Sequence, residues 1–202
     1  MGERDRASAN EKTLGIYAST AAQYAEQTAE LDTSATRLLL TRHLKPGARI
    51  LDAGCGWGRD SKAFVEAGFC VSAFDGCADL AARAQAHLQH PVQTLRFQDV
   101  AYRAEFDAVW ARASLLHLEP LELADAMRRL LRALRPQGFL LATFKEGAGE
   151  RTDTDGRYFN DMSPLKFRAV IEGTGATLLE VVPNEDQFGR SPRWLSFLLQ
   201  AD

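Results

Sequence analysis

Cysteine is scarce in this sequence, and the three cysteines are spaced neither for pairing nor for metal binding. Cys55, Cys70 and Cys77 form no C-x-x-C pair, and an odd thiol remains after any single disulfide. Secreted frameworks use even numbers of closely spaced cysteines, so that class is disfavoured and a reducing cytoplasm is the expected location. The histidines at 43, 87 and 90 have no partners at metal-ligand spacing, and no metal is expected.

Long hydrophobic runs and a surplus of positive charge are also missing. The longest apolar runs, such as residues 139–142, fall far short of the about 18–20 residues that cross a bilayer, so no membrane association is expected. The charged start of the chain, Met1-Gly2-Glu3-Arg4, shows no targeting signal. Lysine and arginine number 24 against 27 acidic residues, a net charge of −3 that disfavours nucleic acid as a partner.

The remaining composition is that of an ordinary globular domain. The chain has 202 residues, of which 46% are hydrophobic, and a chain of this length buries about 70% of its unfolded surface in one core. We predict a flexible segment over residues 1–12 and a single domain over residues 13–202. Within that domain, residues 13–45 have the helical period and form a cap. A monomer or a homodimer is expected.

After Pro46-Gly47, short apolar runs alternate with amphipathic stretches, which is the pattern of an α/β fold. Helices are predicted over residues 59–67 and 79–88, after Pro120, and from Ser163-Pro164; residues 145–162 read as an irregular loop. The predicted strands are residues 48–51, 70–74, 94–97, 106–111, 138–144, 177–182 and 194–199. The sequence thus predicts a seven-stranded, mostly parallel sheet with helices on both faces and an antiparallel last strand.

Ligands of such sheets bind at the carboxyl ends of the strands, which places the chemistry after Leu51, Phe74, Phe97 and Ala111. The first of these ends carries three glycines in the pattern Asp52-x-Gly54-x-Gly56-x-Gly58, just before a helix. Backbone N–H groups and the positive helix end favour an anionic ligand there. The dinucleotide pattern G-x-G-x-x-G needs a third glycine where this chain has Arg59, which argues against a nicotinamide oxidoreductase.

In five segments the sequence resembles the class I S-adenosylmethionine-dependent methyltransferases: residues 50–59, 71–75, 97–100, 106–118 and 134–140. Their order and spacing match the family over about residues 13–200. The resemblance implies a Rossmann-like fold, S-adenosyl-L-methionine as cofactor and methyl transfer to an acceptor. The short layout and Gly58-Arg59-Asp60-Ser61 are similar to the tellurite-resistance and thiopurine-like methyltransferases, which favours a small-molecule acceptor.

The same resemblance implies roles along the cofactor. Asp75 is the family's ribose acid, Asp99 accepts from the adenine amino group, and Ala111 passes near the sulfonium. Asp52 or Arg59 meets the amino and carboxylate groups of the methionine end. The remaining implied contacts are Gly54, Cys55 and Gly56 through backbone, Gly76, Cys77 and Val100 around the adenine ring, and Tyr17 and Tyr24 as a closing pair on one helical face.

Several residues have a second interpretation. Asp52 and Asp75 are also typical of carboxylates in caps and turns, and Cys55 and Cys77 are typical of small packing residues rather than nucleophiles. His117 follows the fourth strand and is either a catalytic proton acceptor or a capping and packing residue. At the level of function, a protein that binds the cofactor without catalysis, as a sensor or assembly subunit, remains the alternative to a methyltransferase.

Overall fold

The computed structural model describes residues 8–185, 187–189 and 193–202. The chain begins with two helices, α1 (Ala9–Thr28) and α2 (Ser34–Thr41). Helix α1 starts four residues before the predicted position and includes residues 9–12; residues 1–7 of the segment predicted to be flexible lie outside the described part. The cause is a capping box in which the Ser8 hydroxyl accepts from the Glu11 N–H and the Glu11 carboxylate accepts from the Ser8 N–H.

Nine strands and four further helices follow. The strands are β1 (Arg49–Ala53), β2 (Cys70–Asp75), β3 (Gln93–Thr94), β4 (Phe106–Arg112), β5 (Leu134–Lys145), β6 (Glu150–Thr152), β7 (Tyr158–Asn160), β8 (Ala176–Asn184) and β9 (Trp194–Ala201). The helices are α3 (Arg59–Glu66), α4 (Ala78–Leu88), α5 (Pro120–Ala133) and α6 (Pro164–Ile171). None of the described helices has the length and apolarity that a membrane crossing needs.

Seven strands form one sheet in the order β3-β2-β1-β4-β5-β9-β8. Strands β1 to β5 pair in parallel, and β9 is antiparallel to both of its neighbours, β5 and β8. This confirms the predicted fold class: a mostly parallel, Rossmann-like sheet whose last strand is antiparallel. Strand β1 lies between β2 and β4, so the carboxyl ends of these three strands meet at one edge.

Successive residues of the central strands serve two separate cores, because side chains alternate across a sheet. Leu51 of β1 and Val109 of β4 pack in the larger cluster, together with Met127 of α5. Their neighbours Ile50 and Trp110 pack in the cluster on the opposite face. The sheet is therefore covered on both sides, and its edge at the carboxyl ends stays available for a site.

The third strand is shorter than predicted. Only Gln93 and Thr94 pair with β2, and the chain then makes a single 3-10 turn over Phe97–Asp99 instead of continuing as a strand. Phe97 turns inward and packs edge-to-face on Phe74, with ring centroids 5.5 Å apart. An edge strand has one partner only, so this packing outweighs further pairing.

The segment predicted as an irregular loop contains a small hairpin, β6–β7. Gly156, with φ of 87°, makes the turn between the two strands. Two contacts hold the hairpin over the carboxyl end of the sheet: the Tyr158 N–H donates to the Thr13 hydroxyl (3.0 Å), and the Asn160 side-chain amide donates to the Leu118 carbonyl (3.0 Å). Strands of three residues are too short to show an alternation of apolar and polar residues, so the sequence did not reveal them.

Candidate functional site

A cavity of about 850 Å³, measured with its opening to solvent, lies at the carboxyl ends of β1, β2 and β4. Helix α1 covers it from one side. Of the thirteen predicted cofactor residues, nine line it: Tyr17, Tyr24, Asp52, Gly54, Cys55, Gly56, Arg59, Asp75 and Gly76. The structure brings these residues together, and their contacts with a cofactor remain predictions.

The glycine turn between β1 and α3 is tightly packed against the loop after β4. Gly54 has φ of 78°, and a Cβ on it would lie 2.4 Å from the Cβ of Ser114. Ser114 is held in place because its hydroxyl donates to the Ala53 carbonyl (2.7 Å). The N–H groups of Gly54 and Cys55 both donate to the Phe74 carbonyl at 2.9 Å, which ties the turn to β2. Only glycine fits position 54.

Asp75 ends β2 and is buried beside this turn. The Gly56 N–H donates to one carboxylate oxygen (2.7 Å) and the Cys77 N–H to the other (2.8 Å). Burial raises the pKa of Asp75, and the two N–H groups partly offset that rise. These two hydrogen bonds agree with the second interpretation of Asp75, that of a carboxylate that stabilises a turn. Since a carboxylate has about four acceptor positions, it can still accept from two hydroxyls.

Two further carboxylates lie beneath the turn. Asp60 pairs with Arg59 (2.9 Å) and accepts from the hydroxyl of Thr33 (2.6 Å); burial opposes its ionisation, but the Arg59 guanidinium holds its pKa below the usual value. Asp52 accepts from the Ser61 hydroxyl (2.6 Å), and burial, reinforced by the nearby Asp60 charge, raises the pKa of Asp52 to about 8. This end of the cavity therefore offers both a cation and acids.

Tyr17, Tyr24 and His117 form an aromatic wall. The two tyrosine rings meet edge-to-face at 5.1 Å, in agreement with their predicted position on one face of α1. The Nδ1 of His117 lies 2.7 Å from the Tyr158 carbonyl and its Nε2 lies 3.0 Å from the Tyr17 hydroxyl. A carbonyl only accepts, so Nδ1 carries the proton and Nε2 accepts from Tyr17. His117 has no free ring nitrogen in this arrangement, and its predicted catalytic role stays a prediction.

The neutral state of His117 predicts a pH dependence of folding. Burial lowers its pKa to about 4 from 6.5, so the imidazole must charge on unfolding in acid. The stabilisation is present above pH 6.5 and is lost as pH falls towards 4; we expect the free energy of unfolding to drop by about 3 kcal/mol from this group. Urea unfolding of wild type and His117→Asn at pH 7 and pH 4 measures it.

The variant should be less stable than wild type at pH 7 and should lose correspondingly less stability by pH 4. His90→Asn is the matched control, because His90 is exposed, and its pH dependence should follow that of wild type. Parallel curves for wild type and His117→Asn would contradict a buried neutral imidazole.

Four predicted residues do not line the cavity: Cys77, Asp99, Val100 and Ala111. Asp99 is exposed, because the early end of β3 turns it outward on the 3-10 turn. Val100 and Ala111 point into the larger core, and Cys77 packs in a small cluster under α1. Neither Asp99 nor Val100 lines the cavity, and the adenine contacts expected of them stay predictions.

Other lining residues were missed by the sequence interpretation. Arg96 and Phe97 take the place expected for Asp99, and Arg112 directly follows Ala111. The rule that chemistry lies at strand ends pointed to both positions, but it does not say which of two adjacent side chains faces the cavity. Within residues 8–185, 187–189 and 193–202, no group of three His, Cys, Asp or Glu side chains is placed to hold a metal ion.

Part of the chain matches a known protein-family model. The model of the methyltransferase domain matches residues 50–138. The malonyl-[acyl-carrier protein] O-methyltransferase of Enterobacter lignolyticus is 35% identical over 126 residues, which cover 61% of this chain and 49% of that protein. The chain thus spans about half the length of this relative.

Two solved structures share the fold over almost the whole chain. The 1,6-didemethyltoxoflavin-N1-methyltransferase of Burkholderia thailandensis superposes with a TM-score of 0.76 and 21% identity, covering 100% of this chain and 94% of its own. A TehB-like S-adenosylmethionine-dependent methyltransferase from Corynebacterium glutamicum gives 0.74 and 20%, covering 93% and 100%. At these identities the likeness concerns the fold.

Proposed function

We propose that this chain is a class I S-adenosylmethionine-dependent methyltransferase and that it transfers a methyl group from S-adenosyl-L-methionine to a small-molecule acceptor; the match of the methyltransferase-domain model to residues 50–138 and the shared fold support this. One observation carries the proposal: the glycine turn, Asp75 and the aromatic wall line a single cavity at the carboxyl ends of β1, β2 and β4. That is where a ligand of this fold binds.

The residues present fit the cofactor. The missing side chain at Gly54 lets the turn pack closely against Ser114, since any Cβ there would meet that residue, and Gly54 itself lines the cavity. Asp75 retains acceptor capacity for the two ribose hydroxyls. Arg59 and Asp52 flank the turn and line the cavity; we assign the Arg59 cation to the carboxylate of the methionine end and the Asp52 carboxyl oxygens, as acceptors, to its amino group.

The cofactor, when bound, supplies a methyl group already activated by a sulfonium. The chain then has to orient the acceptor, remove water from the site and keep the acceptor atom in line with the bond from sulfur to the methyl group. We assign the exclusion of water to helix α1 and the β6–β7 hairpin, which are held by a hydrogen bond from Tyr17 to His117 and one from the hairpin to Thr13. In this role His117 is a positioning residue: its Nε2 accepts from the Tyr17 hydroxyl and so fixes the side chain of Tyr17 on helix α1.

A small acceptor agrees with the size of the cavity, about 850 Å³ with its opening to solvent, and the net charge of −3 disfavours a nucleic acid as acceptor. The relative from Enterobacter is named for methylation of an oxygen and the structural neighbour from Burkholderia for methylation of a nitrogen. The acceptor atom therefore differs among similar proteins. Fold alone does not set it, because the acceptor is chosen by the side chains of the site.

Thermal melting and an acceptor screen test the proposal. At one hundred times its dissociation constant, S-adenosylhomocysteine should raise the melting temperature by about 5–10 °C, and NAD should not. Stabilisation by NAD alone would point to the oxidoreductase alternative. Binding of S-adenosylhomocysteine without production of it from S-adenosylmethionine, across a broad panel of small acceptors, would leave the non-catalytic alternative and contradict the transferase.

A further inference from the structure

Arg112 stands apart among the cations of the cavity. It ends β4, lines the cavity and is half-buried, yet within the described part of the chain no hydrogen bond or ion pair engages its guanidinium. By contrast, Arg59 pairs with Asp60, and Arg96 pairs with Glu11 at 3.1 Å. Burial lowers the pKa of Arg112, and Asp60 offsets this only in part. An arginine keeps its charge even so, and a desolvated charge calls for a counter-ion.

The backbone holds Arg112 at this place. It lies opposite Thr143 in the register of β4 with β5, and the next residue, Ala113, has φ of 53°, which is unusual for a residue with a side chain. The Ala113 N–H donates to the Thr143 hydroxyl at 2.9 Å, so the strained turn is tied down. Strain retained beside a cavity is typical of functional positions.

Another cation, Arg59, is assigned to the carboxylate at the methionine end of the cofactor. Arg59 donates through Nε and Nη2 to Asp60 and through Nη1 to the Thr28 carbonyl, which uses three of its five N–H groups. It begins α3, whose N-cap, Gly58, supplies no side-chain cap, so the first N–H groups of that helix are free to meet a carboxylate. Arg112 is then left for a second anion.

A general base would have to come from an acid or an imidazole, and each such group among the described lining residues already has a hydrogen-bond or ion-pair partner. Both ring nitrogens of His117 have partners. Asp60 is paired with Arg59, Asp75 accepts from two N–H groups, and Asp52 accepts from a hydroxyl. A neutral alcohol or protonated amine would need such a base, whereas an acceptor that arrives as an anion needs none.

We propose that Arg112 binds the methyl acceptor and that this acceptor is a carboxylic acid, methylated on its carboxylate oxygen. The inference rests on the proposed function. An oxygen of the carboxylate held by Arg112 supplies the electron pair of the new O–C bond; the C–S bond of the methyl group breaks, and its pair stays on sulfur as a neutral thioether. No proton is released, so this step does not require a general base.

Matched pairs of ligands test this on the protein saturated with S-adenosylhomocysteine. Benzoate, cinnamate and hexanoate are each compared with the corresponding primary amide by calorimetry at pH 7.5. Wild type should bind the acid at least about tenfold more tightly than the amide in one or more pairs, since a charged hydrogen-bonded pair contributes 1.5–3 kcal/mol. Arg112→Gln should reduce this preference to within about twofold, and Arg112→Lys, which lacks the planar fork, to an intermediate value.

Arg83→Gln, an exposed arginine on α4, removes the same charge away from the cavity and should leave the preference unchanged. The proposal is overturned if no acid is preferred by wild type, or if the preference survives in Arg112→Gln. It is also overturned if Arg112→Gln weakens S-adenosylhomocysteine but not 5′-methylthioadenosine, because the cation would then belong to the cofactor's carboxylate. Failure of wild type to bind S-adenosylhomocysteine contradicts the proposed function instead.

Discussion

Replacing Gly54 by alanine should weaken binding of S-adenosylhomocysteine by about a hundredfold or more and destabilise the fold by about 3 kcal/mol. The new Cβ would lie 2.4 Å from the Cβ of Ser114, an atom that no rotamer change can move, and φ of 78° is unfavourable for alanine. The loops after β1 and β4 must therefore separate, which deforms the turn that faces the ligand. Calorimetric titration and urea unfolding measure the two effects.

Gly47→Ala is the matched control. Gly47 has φ of 75° but nothing within 4 Å of its missing Cβ, so this variant carries only the backbone effect, about 1 kcal/mol, with unchanged ligand affinity. In the double variant Gly54→Ala, Ser114→Gly the clashing atoms are removed, and most of the affinity should return. Equal losses at positions 47 and 54, or no recovery in the double variant, would show that the contact with Ser114 is unimportant.

Replacing Asp75 by alanine should weaken S-adenosylhomocysteine by tens-fold or more. The carboxylate is expected to accept from the ribose hydroxyls, and a hydrogen bond to a charged group contributes about 1.5–3 kcal/mol, or about 10- to 150-fold. It also accepts from the N–H groups of Gly56 and Cys77, which the variant would leave buried without an acceptor. Calorimetry with S-adenosylhomocysteine and with 5′-methylthioadenosine should show the same relative loss, since both ligands carry the ribose.

Asp79→Ala is the control for charge, because Asp79 lies exposed in the first turn of α4 and should leave affinity unchanged. Asp75→Asn, which keeps the shape and one acceptor oxygen, should lose less affinity than Asp75→Ala. An unchanged dissociation constant of S-adenosylhomocysteine in Asp75→Ala would show that Asp75 does not bind the cofactor.

The regular elements were largely predictable from sequence because burial imposes a period on them. Helix α5 was found from apolar residues at helical spacing, such as Met127 and Leu130, both buried in the larger core. Local chemistry set several boundaries: Pro164 starts α6, and its cap is the Ser163 hydroxyl, which accepts from the Lys166 N–H. Where burial gives no clear period, as in β3 and the β6–β7 hairpin, the prediction failed.

The site was predictable where the backbone itself is the functional element. A glycine-rich turn after β1 and an acid at the end of β2 can be identified from the local sequence, and Gly54, Gly56 and Asp75 line the cavity. That Asp99 is exposed and does not line the cavity was not predictable, because its orientation depends on how Phe97 packs against Phe74. The engagement of His117 with Tyr17 and Tyr158 joins residues 100 and 41 positions apart, which no local pattern encodes.

By itself, the sequence determined the α/β architecture, the order of its strands along the chain and the place of the glycine turn, since each of these follows from local period, turn chemistry and strand-end rules. Only the tertiary structure decided which charged groups form ion pairs. Asp60 pairs with Arg59, and Glu11 pairs with Arg96. Arg112 forms no such pair among the described residues and lines the cavity. Electrostatic pairing depends on distance in space and on burial, and neither is a property of neighbouring residues in the chain.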